Sequence, residues 1–155
     1  LPDLNALHVN RGIEGTIKQF EGMRAIKNLY SSILNEVGRG EDYLVVSDPA
    51  RWYERDPEFF QDFLEKRARL NLNLRLLFTR SEKASELQKF EKNYNMNVRM
   101  LPESTELFTN LIITKNKVII HRLSEPFKAV VMDDPLVIQM HKETFEVMWN
   151  SIREN

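Results

Sequence analysis

The strongest constraint on the fold of this chain is the order of its apolar patterns. Segments with the spacing of helices alternate with short runs typical of strands. Apolar residues recur every three or four positions in three segments, which predicts amphipathic helices at 22–37, 57–70 and 81–94. Short apolar or alternating runs between and before them predict strands at 16–20, 43–46, 72–78 and 97–101. This regular alternation of strand and helix predicts an α/β fold.

The last third of the chain has a different pattern. Three successive strands are predicted at 108–113, 117–122 and 127–132. Because only a tight turn at Lys115 and Asn116 separates the first two, they should form a hairpin. Asp134 and Pro135 then begin a helix to about Arg153, whose predicted apolar face is Leu136, Met140, Phe145, Met148, Trp149 and Ile152. The whole order predicts a three-layer α/β/α sandwich with a mixed sheet.

Composition excludes several classes of function. The chain has 22 basic and 23 acidic residues, so it lacks the basic excess of a domain that grips DNA through its phosphates. It has no cysteine, which excludes disulfides, a cysteine nucleophile and a cysteine-based zinc site. No apolar run approaches the roughly 18 residues of a membrane span. We therefore expect a cytoplasmic domain without membrane contact.

The familiar catalytic and cofactor motifs are missing. The sequence contains no Walker-type phosphate loop, no G-x-G-x-x-G after a strand and no G-x-S-x-G elbow. Its histidines, His8, His121 and His141, are far apart and lack metal-ligand spacing, so neither a metal nor a cofactor is expected. The carboxylates that flank predicted helices are interpreted as helix caps rather than acid–base catalysts; they are Glu21, Asp133 and Asp134.

Polar and aromatic side chains follow two strands that should be neighbours. Ser47, Arg51 and Trp52 come after the strand at 43–46, and Arg80 and Ser81 come after the strand at 72–78. Ligands of open α/β sheets bind where such strand ends gather, so these residues are candidate contacts for a small molecule. Arg80 ahead of a helix could hold an anion, and Arg51 with Trp52 could stack on a sugar or nucleotide. The alternative is that the serines cap helices, Trp52 lies at the core edge and the arginines are solvated.

Several segments of the sequence resemble the sequences of a known family. LPDLNAL at 1–7 and FEGMRAIKNLYSSIL at 20–34 resemble the opening of the C-terminal domain in TrmB-like transcriptional regulators of archaea and bacteria. AVVM at 129–132, followed by a helix that ends in FEVMW at 145–149, resembles its closing part. The chain departs from the family phrase at Ala25, where the family has a second glycine, which puts any close backbone approach there in doubt.

The resemblance implies an architecture and a role. Members carry an N-terminal winged helix-turn-helix that binds DNA, joined by a helical linker to an effector-sensing or dimerisation domain with a phospholipase D-like fold. Residues 1–15 would be the end of that linker and 16–155 the regulatory domain. The chain begins with Leu1 rather than methionine, as expected for an excerpt. The implied partners are a second copy, a small effector such as a sugar or anionic metabolite, and DNA only through the preceding domain.

The same resemblance also provides a test for catalysis. Phospholipase D enzymes carry H-x-K-x-x-x-x-D on a strand and the following turn, with histidine as nucleophile and lysine on a phosphate oxygen. The matching positions here are Phe108, Asn110 and Lys115, so the catalytic motif is lost and no enzyme activity is expected. Asn110 joins the candidate ligand contacts. Two alternatives stay open: a hydrolase with a displaced site that uses His121, and a purely structural dimerisation module.

Overall fold

A computed structural model describes residues 15–152 of the chain. The strands are β1 (Ile17–Glu21), β2 (Asp42–Ser47), β3 (Asn73–Phe78), β4 (Asn97–Met100), β5 (Thr109–Thr114), β6 (Val118–Arg122) and β7 (Lys128–Met132). The helices are α1 (Met23–Glu36), α2 (Pro49–Arg55), α3 (Pro57–Ala68), α4 (Glu82–Lys89) and α5 (Pro135–Ser151). Within this range no helix is both long and apolar enough to cross a membrane. The predicted linker at 1–15 lies outside the described residues except for Gly15.

All seven strands of this part of the chain form one sheet in the order β1-β7-β6-β5-β2-β3-β4. β2 and β3 are parallel, as are β3 and β4, and the remaining neighbours are antiparallel. The predicted mixed sheet is therefore confirmed, and so is the hairpin of β5 and β6. Because β5 runs against β2, the start of β5 lies beside the end of β2. We call this side of the sheet, where β2 and β3 end and β5 begins, the carboxyl edge.

The two faces of the sheet are covered separately. On β2, Tyr43 and Val45 belong to the core beneath the helices α1 to α4, whereas Leu44 between them belongs to the core beneath α5. Side chains of a strand alternate between faces, so this division follows directly from the strand geometry. On α5, Phe145 and Trp149 are buried against the sheet with their rings stacked at 5.8 Å. The predicted three-layer sandwich is confirmed.

Side-chain caps define most helix starts. The capping residues of α2, α3, α4 and α5 are Asp48, Asp56, Ser81 and Asp134, each accepting a backbone N–H of the first turn. The predicted cap at Asp134 is therefore confirmed. The prediction for Glu21 is wrong, because α1 begins after Gly22, whose φ of 94° suits glycine, and has no side-chain cap. Asp133 instead accepts the backbone N–H of Thr16 and ties β1 to the end of β7.

Two helices differ from the sequence prediction. The third predicted helix ends at Lys89 rather than at Tyr94, because the N–H groups of Phe90 and Glu91 bond to carbonyls three residues back and the chain continues in turns up to β4. On α5, Leu136 and Met140 were expected in the core but are 79% and 67% exposed. They lie outside because α5 is a single layer over its sheet face and buries only the side that faces the sheet. A further short helix, α2, separates β2 from α3.

Candidate functional site

Two of the predicted contact residues meet at the carboxyl edge. Ser47 is the last residue of β2, and Asn110 is the second residue of β5, the antiparallel neighbour of β2. The Ser47 hydroxyl donates a hydrogen bond of 2.7 Å to Oδ1 of Asn110, and both residues are buried. Ser47 thus does not cap a helix; that role belongs to Asp48. The sequence placed both residues near the strand ends but gave no indication that they bond to each other.

The hydrogen bonds continue into Tyr30, which the sequence did not single out, and into His121, which it named only for the alternative of a displaced hydrolase site. Nδ2 of Asn110 donates to the Tyr30 hydroxyl at 3.2 Å, and Tyr30 Oη lies 2.5 Å from Nε2 of His121. Nδ1 of His121 lies 3.1 Å from the backbone carbonyl of Arg122. Because a carbonyl can only accept, Nδ1 carries the proton, and Nε2 accepts from the tyrosine. We call Ser47, Asn110, Tyr30 and His121 the polar relay.

Burial keeps the relay uncharged. It lowers the pKa of His121 to about 4, and the accepting carbonyl of Arg122 opposes this only partly. It raises the pKa of the Tyr30 phenol far above its usual range. At neutral pH His121 is therefore a neutral imidazole, and Tyr30 keeps the proton that it donates to that ring. Each of these relay donors has an acceptor, which is the condition for burying such groups cheaply.

Aromatic rings cover the relay. The Trp52 ring centroid lies 5.1 Å from those of both Tyr30 and His121, and Phe63 lies 5.1 Å from Tyr30. Trp52 itself is buried and belongs to the core. This position matches the alternative in which Trp52 belongs to the core. Neither face of its ring is open at the surface for stacking on a ligand. The rings of Trp52 and Tyr30 pack against the His121 imidazole and cover this side of the relay.

A second layer of the site faces solvent at the same edge. The Arg51 guanidinium lies over the Phe108 ring at 4.2 Å, and its Nε donates to Asp48 at 3.0 Å. Phe108, just before β5, is 51% exposed. At the end of the same helix, α2, Nε of Arg55 donates to the Leu123 carbonyl at 3.1 Å. We call Arg51 with Phe108 the outer rim.

The remaining predicted residues lie apart from the relay. Nε of Arg80 donates to the Leu101 carbonyl at 3.0 Å, and Ser81 caps α4 by accepting from the Ala84 N–H at 3.0 Å. Both line a shallow groove that also includes Phe90. The structure thus joins Ser47, Trp52 and Asn110 in one cluster, sets Arg51 at its rim, and places Arg80 and Ser81 in a second location. The two serines have different roles, which spacing alone could not separate.

A small cavity adjoins the relay beneath α1 and α3. It measures about 30 Å³, and Tyr43 and Arg67 line it together with relay residues. A cavity needs roughly 10–15 Å³ to admit one water molecule, so this space is too small for a metabolite. Sequence reasoning missed Arg67, although a signal exists: it occupies the next turn of the apolar stripe formed by Phe60, Phe63 and Leu64.

A further feature is the placement of the histidines and acidic side chains in the described part of the chain. No group of three histidine, cysteine or acidic side chains there is arranged to hold a metal ion. His121 is enclosed in the relay, and Nδ1 of His141 bonds to the Val137 carbonyl of its own helix at 2.8 Å. His8 lies outside the described residues.

Comparison of the sequence with protein-family models gives no match. Comparison with curated proteins gives none either. Solved structures do match. Nuc from Salmonella typhimurium, described as a phospholipase D family member, superposes with a TM-score of 0.66 at 12% identity, over 92% of this chain and 99% of that chain. NucT from Helicobacter pylori gives 0.65 at 13% identity, over 92% and 100%.

The class defined by this fold is the phospholipase D type, as the sequence analysis expected. TrmBL2, described as an archaeal chromatin protein with a novel mode of DNA binding, matches over 99% of this chain with a TM-score of 0.58 at 15% identity. The resemblance to a TrmB-type domain is therefore confirmed at the level of the fold. The present chain spans 59% of the TrmBL2 structure's length.

Proposed function

We propose that this chain is the non-catalytic regulatory domain of a TrmB-like transcriptional regulator. The observation that carries the proposal is the state of the β5–β6 hairpin, where a phospholipase D fold would bear its catalytic residues. The only histidine of that hairpin, His121, is 1% exposed and has both ring nitrogens in hydrogen bonds. Asn110, at the lysine position, is bound within the relay.

At this site, neither the nucleophile nor the cation that phosphodiester cleavage requires is presented to a substrate. A histidine nucleophile must present a free ring nitrogen to phosphorus, whereas Nε2 of His121 already accepts from Tyr30. A neutral amide at Asn110 supplies no positive charge for a phosphate oxygen. Phe108, at the histidine position, is accessible but has no nucleophilic atom. The relay therefore supports a structural role for the positions that are catalytic in phospholipase D enzymes.

Regulation by such a domain requires two copies, and α5 has a surface suited to this. Leu136, Met140 and Val147 are 79%, 67% and 71% exposed and lie on one stripe of the helix. At about 1.5 Å per residue the stripe is some 16 Å long. Two such helices packed antiparallel about a two-fold axis would bring Leu136 of each copy near Val147 of the other. We propose this stripe as the centre of a homodimer interface, since two-fold operators are bound by two-fold proteins.

An effector of metabolite size would bind at the outer rim rather than in the interior cavity. Arg51 keeps its terminal guanidinium nitrogens available, and Phe108 offers an apolar face beside it. This pair suits an anionic metabolite or a sugar with an apolar face. Because a ligand can shift an equilibrium only by its differential affinity, the effector must bind one dimer geometry better than another. Contact with DNA is assigned to a preceding domain, as in TrmB-like regulators.

Catalytic silence is tested by incubating the chain with bis(p-nitrophenyl) phosphate beside the variant His121→Gln. We expect no release of p-nitrophenol above buffer from either protein. Turnover by the wild type that the variant loses would establish the displaced hydrolase instead.

Effector binding is tested by a thermal-shift screen of sugars, phosphorylated sugars and nucleotides. A ligand at 100 times its Kd adds about 2.7 kcal/mol to stability, a rise in Tm of several degrees. Arg51→Gln should remove the response and Arg39→Gln, an exposed arginine elsewhere, should keep it. A broad screen without any shift, or a response that Arg51→Gln leaves intact, would contradict the rim as the effector site.

A further inference from the structure

Arg67 carries a positive charge into the interior without an acidic partner. It is 5% exposed and lies between the rings of Tyr43 and Phe63, at 5.5 and 5.3 Å from their centroids. Its Nη2 lies 3.8 Å from the sulfur of Met96, and its guanidinium also interacts with the Tyr43 hydroxyl oxygen. Within residues 15–152 no carboxylate contributes to its electrostatic environment. Buried charges are ordinarily paired, so this one requires an explanation.

Two donors beside this charge have no acceptor within the described protein. They are the Arg67 Nε–H and the Tyr43 hydroxyl, both fully enclosed. No atom of the neighbouring relay accepts from either of them. Arg67 and Tyr43 both line the cavity of about 30 Å³. A cation and two donors without acceptors thus line one small space.

We propose that this cavity binds a single monatomic anion, chloride under physiological conditions. An anion there accepts from Arg67 and Tyr43 and neutralises the guanidinium, which a water molecule does not do. The space of about 30 Å³ suits a monatomic anion better than a sulfate or phosphate with five heavy atoms. The remaining lining is largely apolar, including Leu64, Leu76 and Ile112, which favours a weakly hydrated halide. The proposal is independent of the regulatory function proposed above.

The solution test compares melting temperatures in sodium bromide, sodium chloride and sodium gluconate at equal ionic strength, since gluconate is too large for the cavity. We expect the wild type to melt at least about 3 °C higher in the halides. Arg67→Met should abolish the difference, and Tyr43→Phe, which removes one donor and keeps the ring, should reduce it. Arg69→Met, at the exposed residue that directly follows the same helix, should leave it unchanged.

Crystals grown in bromide provide the direct test, with diffraction recorded at the bromine absorption edge. The expected result is an anomalous peak beside the Arg67 guanidinium and the Tyr43 hydroxyl. Water without anomalous signal in the cavity would overturn the proposal. So would a halide response in solution that Arg67→Met retains, or that is absent from the wild type. If Arg67→Met does not fold, an unchanged halide response in Tyr43→Phe has the same meaning.

Discussion

Acid should destabilise this domain through His121, and the variant His121→Gln should escape that loss. Burial lowers the pKa of His121 to about 4, against an ordinary value of 6.5 in the unfolded chain. The unfolded state therefore binds the proton first, and folding stability falls as pH drops from about 6.5 towards 4. Between pH 7 and pH 4.5 this single group should cost about 2.5 kcal/mol. Glutamine removes the titration and keeps an oxygen that can accept from Tyr30.

The assay is urea denaturation of wild type and variant at pH 7 and pH 4.5. Carboxylates such as Asp56 and Asp133 titrate equally in both proteins, so their contributions cancel in the comparison. His141→Gln, a substitution on the partly exposed side of α5, provides the matched control and should lose as much stability as wild type. Equal losses in wild type and His121→Gln would refute the inference that His121 is buried as a neutral ring.

Three further substitutions test the packing around the site, each by urea denaturation at pH 7. Asn110→Leu leaves the Ser47 hydroxyl without its acceptor and should cost about 2–3 kcal/mol; a neutral effect would contradict the relay. Trp52→Ala should cost about 3–5 kcal/mol, since its ring is buried among others. Glu146→Gln breaks a two-bond ion pair with Arg75 but, at 39% side-chain exposure, should cost only about 1 kcal/mol. Because the pKa of Glu146 is lowered by Arg75, that difference should be present above its usual pKa and vanish as pH falls below the lowered one.

The sequence predicted much of the fold because its periodicities are local. The alternation of Tyr43 and Val45 with Leu44 follows from strand geometry, and the stripe of α1 that contains Tyr30 follows from helix geometry. These patterns identify which side of each element is buried. They also led to a wrong prediction of the buried side of α5, because Leu136 and Met140 extend its apolar pattern beyond the side that the sheet can cover.

The polar relay could not be predicted, because it depends on which elements meet. Tyr30 and His121 are 91 positions apart, and their contact requires α1 to pack on the face of the sheet to which His121 of β6 points. The spacing of residues within one helix or strand carries no information on which other element it will contact. Arg67 is different: a charge on an apolar stripe is visible in the sequence, although its partner is not. The candidate residues were correctly placed at strand ends, but only the structure divided them between two locations.

Association of two copies is the most direct consequence of the regulatory role, and sedimentation velocity of the whole chain measures it. The account predicts that the wild type sediments with the mass of two chains and that Met140→Asp, which places a charge at the middle of the α5 stripe, sediments as one. Asn35→Asp adds the same charge to the exposed side of α1, under the opposite face of the sheet, and should remain a dimer. A wild-type chain that is monomeric at all concentrations, or a Met140→Asp variant that dimerises unchanged, would contradict the account.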